Sequence, residues 1–265
     1  MKKVLLSLFV AIAIIVPANA ATYNASNRVQ TVGETLLTKN GISATNVKFT
    51  VVSGDTDNSN YATNKVVNVS SGDLAYAGND NEVAAIISNE LGHIISGHAS
   101  RGKFLSLLES TSNTNITTNA TASTLASNYK QTKEDEEADI IGANLMSNAG
   151  YNPLATIVVL TKMTGTYWET VQGKPANAER AMNVYNYVSY AYPAKLKAGY
   201  SCNEYKNFLT YANTVVESRN ADKKKLSKYK KDYSKAKKSS VSQIAKFKTR
   251  GGMSGWDAVY GLLSN

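Results

Sequence analysis

The sequence holds one cysteine, two histidines and four prolines in 265 residues. A lone Cys202 excludes an intramolecular disulfide framework, so the chain tolerates an oxidising compartment without drawing stability from it. Long apolar runs are also scarce. Past the first twenty residues no segment approaches the roughly 18 to 20 apolar residues of a membrane-spanning helix, so none is expected in the mature chain. Acidic residues are missing from one region in particular. Between Arg219 and Arg250, 13 Lys or Arg face only Asp222 and Asp232, a local charge of +11. The remainder carries −2, so the overall +9 describes a tail and not the body.

At the start, Lys2 and Lys3 precede an apolar run from Val4 to Val16, and Ala18-Asn19-Ala20 supplies small residues for cleavage. This is the pattern of a secretory signal peptide over 1–20, and it predicts an exported, periplasmic or extracellular protein. No cysteine adjoins the cleavage site, which argues against a lipid anchor. Residues 21–195 suffice for one globular domain, and 196–265 read as a helical, lysine-rich C-terminal extension.

Val29, Val32, Leu36 and Leu37 lie at helical spacing, with Gly41 as a left-handed stop. The β-branched stretches 47–52 and 65–70 predict neighbouring strands of a small sheet. Asn79 with Glu82 forms a capping-box variant for a helix reaching about Gly97. Residues 110–130, nearly all Ser, Thr, Asn and Ala, predict a mobile polar loop. Order is expected to return at the acidic run 134–139, in which Glu134 and Glu136 read as a solvated first turn. That helix continues to Ala149, and others follow over about 153–163, 176–192, 196–216 and 222–238. In the last, Tyr229 and Tyr233 would pack against the body. A short element from Gly251 onward would dock on the body as well. The expected fold class is α+β and mostly helical.

The stretch Asn89-Glu90-Leu91-Gly92-His93 carries the chemistry. A gluzincin site needs HExxH, two imidazoles one helical turn apart on a metal, with the intervening Glu activating the metal's water. Here Glu90 keeps the general-base position and His93 the second-ligand position, while Asn89 puts an amide at the first. The third ligand in such sites comes from a later ExxxD. The matching residues are Asp135 as ligand and Asp139 behind it. Asp135 is one methylene shorter than Glu, about 1.5 Å less reach, so the backbone must shift to bring it in. The Asn89 amide can donate to Asp139 much as a zinc histidine would. In that case His93 and Asp135 are left as a residual pair.

Four blocks in order, around Asn64 to Val69, "NEVAAIISNELGHIISGH", "EEADIIGANLMSNAGYNP" and "GKPANAER", resemble the HtpX/BepA-type zinc metallopeptidases, relatives of the CAAX prenyl proteases. The resemblance covers roughly residues 30 to 190. It implies a gluzincin fold, zinc as cofactor and endopeptidase activity on polypeptide, often in envelope quality control. His98 and Arg180 match family positions, and Glu90, His93 and Asp139 are retained. Asn89, Asp135 and Lys174 depart from the pattern, Lys174 standing where the family commonly has a histidine. The polar loop replaces the family's membrane helices.

Three functions follow. The first is an exported metallopeptidase-like protein, with Glu90 as base and with His93, Asp135 and a weak Asn89 as ligands. The second is an inactive descendant that holds extended polypeptide along a sheet edge, as a chaperone or scaffold. The third is an envelope-binding protein whose residues 219–250 attach to an anionic surface. Nucleic acid is not the expected partner of an exported chain.

Overall fold

The computed structural model describes residues 25–54, 56–111, 120–163 and 177–263. The signal segment 1–20 and Lys174 lie outside them. Helix α1 (Ala25–Lys39) packs on strand β1 (Lys48–Val52), and Gly33 permits the contact: a Cβ there would fall 2.5 Å from the Phe49 ring. A short helix α2 (Tyr61–Asn64) lies within the crossover to β2 (Val66–Ser70). The strands are parallel, with Lys48 opposite Val66 and Val52 opposite Ser70. The expected small sheet is therefore a parallel pair, which requires such a crossover.

After α3 (Ser71–Leu74) comes α4 (Asp80–Ser96). The Asn79 side chain accepts from the Glu82 N–H at its start, and Gly97 ends it at φ 67°. Helix α5 (His98–Thr111) follows, then α6 (Ala120–Ala149), α7 (Ala155–Met163) and α8 (Asn177–Ala191). Where a loop is expected over 110–130, α5 reaches Thr111 and α6 begins at Ala120; 112–119 lie outside the described residues. Once the later half of α6 docks on α4, adding residues at its start costs less than nucleating a helix.

Helices α9 (Pro193–Ala198), α10 (Asn203–Ala221), α11 (Lys223–Thr249) and α12 (Gly255–Leu263) complete the chain. Among the described residues no helix is long and apolar enough to cross a membrane. Helix α11 runs past the expected end at Lys238 because Ile244 and Phe247 continue its buried face. Both join the core formed by α1, the sheet and α4. Nearer its start, Tyr233 donates to Asn183 Oδ1 (2.8 Å) and Tyr229 to the Asn186 carbonyl (3.2 Å), which anchors α11 on α8. A second core gathers α7, α8 and α10 around Tyr187, Leu154 and Phe208. Where α6, α8 and α11 meet, buried Asn144 donates to Ser240 and accepts from Tyr187 (2.7 Å) and Tyr192 (2.6 Å).

Candidate functional site

The site forms where α4 and α6 press together until their backbones touch. A Cβ on Gly92 would stand 2.4 Å from the Ala138 carbonyl oxygen, and one on Gly142 would stand 2.9 Å from Ser88 Oγ. No larger residue fits at Gly92 without moving a helix. This approach brings Asn89 and His93 opposite Asp139 and Asp135.

Asp139 is almost fully buried. It accepts from Asn89 Nδ2 (2.7 Å) and from Arg180 Nε and Nη2 (both 2.8 Å). Burial works against the Arg180 charge, but Asp139 and then Asp135 more than offset it, so the guanidinium pKa is raised. His93 Nε2 lies 3.3 Å from Asp135 Oδ1, and Arg180 Nη1 lies 4.0 Å from Asp135 Oδ2.

Behind His93 runs a chain of ring nitrogens whose proton positions follow from their partners. His98 Nδ1 is 2.9 Å from His93 Nδ1, and His98 Nε2 is 3.1 Å from Glu137 Oε2. Glu137 also accepts from Gln243 Nε2 at 2.6 Å. The His98 bond, aided by Gln243, holds the Glu137 pKa down despite burial. Burial lowers the His98 pKa against the pull of Glu137. A neutral His98 donating to the carboxylate must accept from His93 Nδ1–H. That arrangement leaves His93 Nε2 facing Asp135, two acceptors unless a proton or a cation lies between them.

Glu90 is half-buried and capped. Thr56 Oγ1 donates to one oxygen (2.9 Å) and Asn58 Nδ2 to the other (2.7 Å). Burial raises its pKa, while His93, Thr56 and Asn58 pull the other way. These groups line a cavity of about 750 Å³ with Asp73 and Asp257. Asp257 of α12 accepts from Ser100 and from the Ser254 N–H, so the C-terminal helix forms part of the wall.

A helix carrying NExxH, crossed by a second helix carrying two aspartates one turn apart, defines a metallopeptidase-like scaffold. The model of peptidase family M48 matches residues 24–188, and the chain belongs to that family. No curated protein and no solved structure matched the chain.

The family's enzymes are zinc metallopeptidases. Two ligands at about 2.0 to 2.1 Å from a tetrahedral ion stand roughly 3.3 Å apart, a separation that the His93–Asp135 contact of 3.3 Å shares with an ordinary ion pair. The third position is not filled to match. The Asn89 nitrogen is committed to Asp139, and among the described residues no group of three His, Cys, Asp or Glu converges as a metal site. The described residues therefore do not form a three-ligand zinc centre.

Of the residues singled out from sequence, Asn89, Glu90, His93, His98, Asp135 and Arg180 line one cavity, and Asp139 lies directly behind. Glu134 departs from its solvated reading, since Arg101 Nη2 holds it at 2.6 Å across the start of α5. Sequence reading missed Thr56, Asn58, Glu137, Gln243 and Asp257. Glu137 stands within the acidic run, but two residues from Asp135 it falls on another face of the helix, so spacing gave no signal for it. The others lie in turn-rich or lysine-rich stretches with no motif.

Proposed function

We propose that this chain is a member of family M48 that holds polypeptide and cleaves it poorly or not at all. The observation that carries this is the Asn89 amide bonded to Asp139 at 2.7 Å, where a zinc histidine would bond. The bond keeps the architecture behind the site intact without a metal ligand. Affinity for an extended strand can come from main-chain pairing at a sheet edge, which needs no metal. Kinship with the HtpX/BepA type, export through residues 1–20 and work in the cell envelope belong to the same reading.

The test is zinc titration and cleavage of an unfolded protein by the parent, by Asn89→His and by Asn89→His with Asp135→Glu. The parent is expected to bind zinc weakly. Asn89→His should bind at least about 10 to 100-fold tighter, because Asp139 is already placed to orient the new ring. Any activity that appears should vanish on Glu90→Gln. A parent that holds one tight zinc and cleaves in a Glu90-dependent way would overturn the reading.

A further inference from the structure

Each outer edge of the two-stranded sheet is capped at one point by a side-chain amide. In the parallel register, Lys48 N–H bonds the Lys65 carbonyl, so residues 65, 67 and 69 of the second strand face β1, and Val66, Asn68 and Ser70 present their main chain to the other side. On the free edge of β1, the Gln30 side chain accepts from Phe49 N–H (2.9 Å) and donates to the Val47 carbonyl (3.0 Å). On the free edge of β2, the Asn58 side chain accepts from Asn68 N–H (2.7 Å) and donates to the Asn68 carbonyl (3.2 Å).

Each amide makes the pair of bonds that the N–H and C=O of one residue of an adjoining strand would make. Covering an edge protects it from unwanted pairing, and for Gln30 that is a sufficient account: it sits on α1, which Gly33 locks against Phe49. Asn58 is placed differently. It comes from the connection after β1, it lines the cavity, and the Nδ2 that bonds Asn68 also bonds Glu90 Oε2 at 2.7 Å. Asn68 answers with its own side chain, donating to the Asp57 carbonyl at 2.7 Å.

We propose that Asn58 is a displaceable stand-in for the main chain of one residue of a bound polypeptide, so that an extended strand pairing with Asn68 of β2 and the uncapping of Glu90 are a single exchange. The inference rests on the polypeptide-holding reading. The ligand is recognised by its main chain, so binding tolerates many sequences. The incoming peptide N–H and C=O take over the Asn68 bonds, Asn58 swings away, and Glu90 loses one of its two donors as the ligand arrives. Asn58 is thus a positioning residue that keeps the base covered until a strand is present.

The probe is reduced, carboxymethylated lactalbumin, a permanently unfolded polypeptide, titrated into the parent, Asn58→Ala and Gln30→Ala. Asn58→Ala removes the competitor and should bind about tenfold tighter, the factor for about 1.4 kcal/mol, close to the net worth of one or two hydrogen bonds. Gln30→Ala should bind like the parent. Equal, measurable binding by the parent and Asn58→Ala overturns the stand-in and leaves polypeptide holding intact. No binding by either overturns both. A second readout needs no variant: in the labelled parent, the Asn58 side-chain NH₂ resonances should move toward solvent-exposed positions as the probe saturates, while those of Gln30 stay. Unmoved Asn58 resonances at saturation would refute the exchange even if Asn58→Ala fails to fold.

Discussion

Adding one methyl group to Gly92 should damage both stability and site. The new Cβ would lie 2.4 Å from the Ala138 oxygen and 2.8 Å from its Cα, where ordinary contacts lie near 3.4 to 4 Å. These are main-chain atoms, so no rotamer change relieves the overlap and α4 must move about 1 Å from α6. Overpacking of this kind costs about 1 to 3 kcal/mol. Alanine's better helix propensity returns about 0.8 to 1.0 kcal/mol. The same shift stretches the 2.7 Å Asn89–Asp139 bond beyond hydrogen-bond length, and a bond to an ionised group is worth about 1.5 to 3 kcal/mol. With partial relaxation, the net loss should be about 1 to 3 kcal/mol. Urea unfolding of Gly92→Ala and of Gly102→Ala measures it. Gly102 lies in α5 with nothing within 4 Å of its added Cβ, so it should be neutral or gain about 0.4 to 1 kcal/mol. Ala138→Gly should not rescue Gly92→Ala, because the clash is with the carbonyl. A Gly92→Ala protein as stable as its parent, or a rescue by Ala138→Gly, would refute the backbone-contact argument.

Two other outcomes are expected. Glu82 is buried, yet Gly78 N–H and Lys162 (both 2.7 Å) outweigh that burial and hold its pKa down. A lowered carboxylate pKa contributes stability above the unfolded value, lost as pH falls through the folded one. Glu82→Gln should therefore flatten the loss of stability below about pH 4.3; an unchanged acid limb by thermal melting would count against this. The exposed lysines of α11, among them Lys224, Lys228, Lys231, Lys235 and Lys238, should bind anionic vesicles with an affinity that falls steeply as salt shortens the screening length to about 8 Å. Salt-insensitive binding would exclude charge as the cause.

What could be read from the sequence is what local spacing encodes. Asn79 and Gly97 bracket α4, and the Glu90 to His93 offset and the one-turn spacing of Asp135 and Asp139 each place two groups on one helix face. The capping of Glu90 could not be read this way. Thr56 and Asn58 lie 34 and 32 residues from Glu90, and their bonds depend on how the connection after β1 folds back over the sheet. Helix α11 shows the same limit: among so many lysines, Ile244 and Phe247 are too few to signal a buried face, although the core requires them. The start of α6 was hidden because Ser, Thr and Asn have no apolar period, and only docking of its later half reveals the helix.

Phe247 and Asp257 lie outside the segment the family model matches, yet Phe247 stacks on Tyr61 (ring centroids 6.1 Å apart) within the first core and Asp257 walls the cavity. Ribosomes make a chain from its N-terminus, so the first core stays incomplete until α11 has been synthesised. Until then Tyr61 and its neighbours have only part of their packing, and a nascent or interrupted chain offers apolar surface to chaperones and proteases. The late arrival of α11 thus sets the moment at which this protein can close, and a chain stopped before Phe247 is expected to be cleared instead of accumulating as a smaller folded domain.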